Sequence, residues 1–127
     1  MNKNQTNTNP NEIYHFDNFF NISDDFICIA GFDGYFKRIN PAVSKLLGFT
    51  DEELYARPVI SFVYEADRKN TMETREQIYN NKPLLNFENR YLTKSGGIVW
   101  LSWTSMPINS EKLVYKIKKN ITHKKRM

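Results

Sequence analysis

The stretch "YFKRINPAVSKLLGFTDEEL", residues 35 to 54, constrains the fold more than any other part of the chain. It runs from a short alternating segment through Asn40 and Pro41 into a helical pattern, breaks at Gly48, and restarts at Thr50. Asn40 can cap a helix, and Pro41 suits its first turn because the missing N–H would be unpaired there anyway. Val43, Leu46 and Leu47 line one face before Gly48 ends the helix in the left-handed region. Thr50 and Glu53 form a capping box, and the acids of "TDEEL" complement the positive end of a second short helix. Two helices this short have little autonomous stability, so a sheet must hold them.

Strands to hold them are legible on both sides. "FICIA" at residues 26 to 30 and "YFKRI" flank Asp33-Gly34, a strong hairpin signal because both residues tolerate positive φ. After the brief segment "VISFV", Asp67 is expected to cap a longer helix from Arg68 to Tyr79, which Asn80, Asn81 and Pro83 stop. Three strand patterns follow, "LLNFENRYLT", "IVWLSWTSMPI" and "KLVYKIKKNIT", joined by "KSGG" and "NSE". In the middle one, Ile98, Trp100, Ser102, Thr104 and Met106 face one way and Val99, Leu101, Trp103 and Ser105 the other. Both faces carry bulk, so neither reads as a simple wet face. The expected fold is α+β: a five-stranded antiparallel sheet, with helices inserted between strands 2 and 3 and covering one face. With 127 residues, including nine Phe and seven Tyr, the chain can fill one core.

Upstream, Ile13, Phe16, Phe19, Phe20 and Ile22 recur mostly at three or four, which predicts an N-terminal amphipathic helix over residues 12–23. Residues 1–11 read as a disordered leader without the apolar run of an export signal. No segment approaches the roughly 18 apolar residues of a membrane helix, so a cytoplasmic chain with no membrane span is expected. Residues 112 to 127 hold seven basic side chains and no acid, whereas residues 1 to 111 hold 11 basic and 14 acidic ones. That basic end reads as the wet face of a strand and the start of a polar helix, and no nucleic-acid partner is expected.

Catalytic patterns are missing. His15 and His123 are far apart, the single Cys28 sits between two isoleucines as core packing, and there is no zinc spacing or phosphate loop. Asp51, Glu52 and Glu53 are explained by their first-turn position. Trp100, Trp103, Tyr91 and Phe87 could form a stacking platform for bases, but an aromatic core explains them more simply. The chain is therefore expected not to be an enzyme.

Four separated pieces, taken in order, resemble the PAS domain family in its PAC-containing type: "FDGYFKRINPAVSKLLGFTDEEL", the "YEAD" entry to the long helix, "YLTKSGGIVWLSW" and "VYKIKKNIT". The resemblance spans residues 24–123 and leaves 124–127 as the start of an output linker. It implies a signalling module whose helices and inner sheet face enclose a cavity for flavin, haem, a small metabolite or nothing. Flavin photosensors of the family need a reactive cysteine where this chain has "LYARPVISFVY", and Cys28 does not substitute. Haem-binding members use a histidine on the long helix, and residues 65 to 81 have none. Neither haem nor a photoactive flavin adduct is expected, and the cofactor is left open.

The expected cavity lining is Ile29, Val43, Leu47, Met72, Ile78 and Trp100. A void of roughly 300 Å³ there favours a small apolar ligand, and tight packing favours protein docking. The family's closing Asp-Ile-Thr appears as Asn120, Ile121 and Thr122, with Thr122 expected to cap the onward helix toward a kinase-type effector such as a histidine kinase. Phe16, Phe19 and Phe20 are expected to pack on the outer sheet face or across a homodimer. The two resulting readings are a sensory input domain that relays a bound signal, and a ligand-free dimerisation or docking module.

Overall fold

A computed structural model of the chain describes residues 17–125. A short helix α1 (residues 17–22) leads into strands β1 (Phe26–Gly31) and β2 (Phe36–Ile39). Helices α2 (Pro41–Leu47) and α3 (Asp51–Ala56), a 3-10 turn (Val59–Phe62) and helix α4 (Glu65–Tyr79) come next. The chain closes with β3 (Leu84–Leu92), β4 (Ile98–Ile108), β5 (Leu113–Asn120) and a single turn of helix, α5 (Thr122–Lys125). All five strands join one antiparallel sheet in the order β2-β1-β5-β4-β3, so the last strand is the central one. This is the expected architecture, with every inserted helix between β2 and β3. The leader (1–11) and residues 12–16 of the expected first helix, Phe16 among them, lie outside the described residues.

Local chemistry explains the tight packing of residues 35–54. The capping box at α3 is complete: Thr50 N–H donates to Glu53 Oε1 at 2.8 Å and Glu53 N–H to Thr50 Oγ1 at 3.1 Å. Gly48, at φ +83°, closes α2 by donating its N–H to Ser44 O. At the β1–β2 turn only Gly34 takes positive φ (+87°). Asp33 acts through its side chain instead, accepting from Tyr35 N–H and pairing with Lys37.

Two expected caps are used otherwise. Asn40 stands at the start of α2, but its side chain makes no cap bond. Fully buried, it accepts from Ile27 N–H at 3.1 Å and donates to Asp25 O at 2.9 Å and Phe20 O at 3.1 Å, tying α1, the entry to β1 and α2 together. A buried amide with three partners across the chain is worth more than one local cap bond in water. Asp67 likewise does not cap α4, which already begins at Glu65. Its carboxylate instead takes Arg90 at 2.6 and 2.9 Å and Arg90 N–H at 2.7 Å, fastening the first turn of α4 to β3. Tyr64 N–H, donating to Arg90 O, holds the same junction.

The covered face of the sheet carries Phe26, Cys28 and Ala30 on β1, Tyr91 on β3, Leu101 and Trp103 on β4 and Val114 on β5, beneath Val43, Leu47, Leu54, Phe62 and Ile78. Lys116 and Lys118 share that face and are buried too. The expectation that the basic end is a strand's wet face is thus wrong for these two. In register, Phe26 and Trp103 flank Lys118, and Cys28 and Ser105 flank Lys116. Antiparallel pairing puts opposed residues on one face, so the bulky residues of β1 and β4 set the parity of the strand between them.

Replacing Asn40 with Ala should lower the unfolding free energy by about 3 kcal/mol, because one N–H and two carbonyls lose their partner together. Urea unfolding of the two proteins measures this, and a loss under about 1 kcal/mol would show that water replaces the amide.

Candidate functional site

The structure brings together only half of the expected cavity lining. Val43, Leu47 and Ile78 are buried in the core under the helices. Ile29 is half-buried on the opposite face, out of phase with Phe26, Cys28 and Ala30. Trp100 lies on that opposite face as well, since the covered residues of β4 are Leu101, Trp103, Ser105 and Pro107. Met72 is exposed on α4. Those three positions are corrected: with bulk on both faces of β4, alternation alone could not say which face the helices cover. The stacking platform is not formed either, because Tyr91 and Trp103 are buried inside and Trp100 lies outside.

The interior is filled rather than hollow. Its cleft, between α4 and the β1–β2 turn, holds about 10 Å³ and is lined by Lys116, Arg75, Trp103, Tyr79, Ile78 and Gly34, among others. Larger hollows of about 370 and 400 Å³ are shallow surface features beside α2. By the volume criterion, packing of this kind favours docking over a bulky apolar ligand.

What distinguishes this core is its charge. Lys118 is fully buried, with its ammonium 4.0 Å from the Tyr91 ring centroid and 4.8 Å from those of Phe26 and Trp103, and it donates to Tyr91 Oη. Lys116, 6 % exposed, holds its ammonium 4.8 Å from the Trp103 ring. Trp103 is itself fixed by a buried chain: Nε1–H donates to Asn89 Oδ1 at 3.1 Å, and Asn89 Nδ2 donates to Thr71 Oγ1 on α4 at 3.0 Å.

No carboxylate pairs with either lysine among the described residues. A desolvated ring face offers an ammonium up to about 2 kcal/mol. Removing the ion from water costs several kcal/mol, so the deficit appears as a weakened hold on the proton. Burial pushes Lys116 down to about 8. Burial, with the charge of Lys116 added, takes Lys118 well below its usual range. Burial also raises the Cys28 thiol, against the pull of both lysines, which suits its expected role as core packing.

A second cluster lies where the chain leaves the sheet. Thr122 does not cap α5 as expected; its Oγ1 accepts from Trp100 N–H at 2.9 Å, and Asn120 Oδ1 accepts from Thr122 N–H at 3.0 Å. Ile121 N–H donates to Trp100 O at 2.9 Å, so both backbone groups of Trp100 hold the exit segment. Lys125 lies over the Trp100 ring and pairs with Glu88 of β3 at 2.7 Å. On the same outer face, Ile27 opposes Ile117, Ile29 opposes Tyr115, and Met106 opposes Tyr115, with Ile117, Tyr115 and Met106 exposed. Of the expected interface aromatics, Phe19 is 74 % exposed and Phe20 is buried under the Arg38 guanidinium.

A family model described as the PAS fold matches residues 36–121. A comparison with curated proteins finds no match. Among solved structures, the chain is similar to a PAS domain from Colwellia psychrerythraea, with TM-score 0.77 and 22 % identity over 88 % of this chain and 98 % of that one. It is also similar to a domain of a sensory box sensor histidine kinase/response regulator from Geobacter sulfurreducens, with TM-score 0.74 and 18 % identity over 85 % of this chain and 93 % of that one. A PAS domain of an HTR-like protein from Haloarcula marismortui gives TM-score 0.74 and 18 % identity over 87 % and 93 %. At these identities the likenesses show the fold. Among the described residues, no cluster of His, Cys, Asp or Glu could hold a metal ion, and no helix is long and apolar enough to cross a membrane.

The buried lysines have a pH signature. Lys116 faces Cys28, Arg75, Tyr79 and Lys118, and releases its proton near 8 when folded but near the usual 10.5 when unfolded. Between these values the unfolded chain binds more protons, so stability should rise with pH, by on the order of 3 kcal/mol over the window; below it, the full penalty of the buried charge remains. Lys116→Met should be more stable than the parent at pH 7 and should rise less steeply over this window, keeping only the share that Lys118 contributes. Urea titrations from pH 7 to pH 10 measure both effects, and parallel profiles for the two proteins would contradict them.

Proposed function

The chain belongs to the PAS fold family, and we propose that it is a cytoplasmic sensory input domain that passes a signal through β5 and α5 to a kinase-type effector. The observation that carries this reading is the exit latch. Trp100 of β4 holds the departing segment by its N–H and its C=O, while β4 and β5 also line the core beneath α4. A ligand or partner that shifts β4 against β5 therefore acts on α5 through bonds only one residue apart. The direction of the shift is set by differential affinity for latched and released arrangements. A histidine kinase as the effector is supported by similar structures that come from sensor histidine kinases.

A second function, homodimerisation, is supported by the outer face. Ile27, Ile29, Tyr115, Ile117 and Met106 form one patch by their register, and Phe19 adds an exposed ring upstream. A contiguous apolar patch of this kind on a sheet is best covered by a second copy of the chain through a two-fold axis. If the core holds no ligand at all, this face and the latch still make a docking module.

Three measurements test these statements. Thr122→Val should raise amide hydrogen exchange at Trp100 and across α5 while the other core amides stay protected; unchanged exchange at Trp100 would sink the latch. Phe19→Asp and Ile117→Asp should each convert a sedimenting dimer to a monomer, and an unchanged mass for both would remove the interface. Native mass spectrometry of the freshly purified chain separates the two readings: mass released on denaturation favours chemical sensing, whereas a clean dimer favours docking.

A further inference from the structure

We propose that Lys116 and Arg75 form a proton-operated switch on α4: proton uptake by Lys116 sets two cations against each other across the cleft between α4 and β5 and frees the C-terminal half of the helix. The starting observation is a division along α4. Its first turns are clamped to β3 by polar bonds, because Asp67 takes the Arg90 guanidinium and Thr71 Oγ1 accepts from Asn89, which also holds Trp103. Between Thr71 and Tyr79 that pattern stops. Thr74 bonds back to Asn70 O, and Arg75 turns to Met72 Sδ and the Tyr79 phenol, all within the helix. Among the described residues, no side chain in this stretch makes a hydrogen bond or ion pair to a strand. Apolar contact holds this half instead, through buried Ile78 and the Tyr79 ring, 4.7 Å from that of Phe32, with one long bond from Asn109 to Tyr79 O at 3.5 Å.

Positive charge lies beneath that weakly held half. Arg75 and Lys116 line one cleft of about 10 Å³, a space no larger than one water, with Ile78 and Tyr79 beside them. The other titratable or charged groups turned toward this region are Cys28 of β1, Tyr91 of β3, Lys118 of β5, Tyr79 and Glu76 of α4, and Asp33 of the β1–β2 turn. Asp33 is engaged by Lys37, and no carboxylate pairs with Lys116 or Arg75 among the described residues. Burial raises Cys28, Tyr79 and Tyr91, and the Lys37 ammonium holds Asp33 low, so none of these four changes charge between pH 7 and pH 9. Lys116 does, burial having lowered it to about 8, whereas a guanidinium keeps its charge throughout. Two like charges separated by protein instead of water repel strongly. Lys116 stands on the central strand, paired on both sides, so the strand holds and the helix yields. Above pH 8 the amine is neutral and the end of α4 settles on the sheet; below it, that end loosens. The inference deepens the sensory reading by naming the proton as the signal and rests on it for its purpose.

The test is amide hydrogen exchange of the 127-residue chain at pH 7 and pH 9, each rate divided by the intrinsic rate at that pH. The quantity read is the gap in protection between residues 69–71 and residues 75–79 of α4. At pH 7 the second group should be less protected, on the order of tenfold. The gap should close at pH 9, and in Lys116→Met already at pH 7. A variant that merely steadied the whole fold would widen it, since the better-protected half is the one that exchanges through global unfolding. Arg75→Gln, which removes the opposing cation from α4 and leaves the core filled, should narrow the gap as well. A gap absent at pH 7, or one that persists in either variant as ordinary fraying of a helix end, overturns the proposal. If the gap fails in this way while Thr122→Val still loosens the exit latch, this inference falls and the sensory reading stands.

Discussion

The core of this domain depends on the way its central strand faces. β5 lies between β1 and β4, and its pairing with Phe26, Cys28 and Ala30 on one side and Trp103, Ser105 and Pro107 on the other turns Lys116 and Lys118 toward the helices. The opposite parity would have put Tyr115 and Ile117 inside and the lysines in water, the arrangement hydrophobicity favours for this strand in isolation. The neighbours outweigh it because a slip of one residue would turn out either the β1 set or the β4 set, each bulkier than what β5 would gain. Two consequences follow from one choice: an apolar outer face and a cationic interior.

The interior tolerates the lysines through aromatic faces rather than acids. Trp103 is held in place by Asn89 and Thr71, and Tyr91 receives Lys118 as a hydrogen-bond donor. These contacts offset part of the desolvation, and the rest lowers the affinity of the amines for protons. A buried carboxylate would have neutralised the charge permanently. Its absence among the described residues leaves a core whose stability responds to pH. The same β4 that carries Trp103 and Ser105 inward offers Trp100 to the exit segment, so the charged interior and the latch share one strand.

Much of this was legible in the residues. Gly48, the Thr50–Glu53 box and the Asp33-Gly34 turn marked the helix and hairpin ends correctly, because each is a local signal whose physics does not depend on the rest of the fold. Asn40, Asp67 and Thr122 were misread for the opposite reason. Each is a capping residue type near a helix start, yet each spends its side chain on a distant strand or carbonyl that no local pattern reveals. Lys116 and Lys118 were hidden by the alternation itself, which pointed their faces toward water. The one clue was register: β1 and β4 each present a bulky set of fixed parity, and a strand caught between them must conform.

The most direct test of this account is the titration of the two lysine side chains in the folded chain, followed by their ¹³Cε signals. The account predicts that Lys116 changes charge near pH 8 and that Lys118 does so well below the usual lysine range. Normal titration of both near 10.5 would contradict it, since that would mean β5 presents Tyr115 and Ile117 to the core and the cationic interior does not exist.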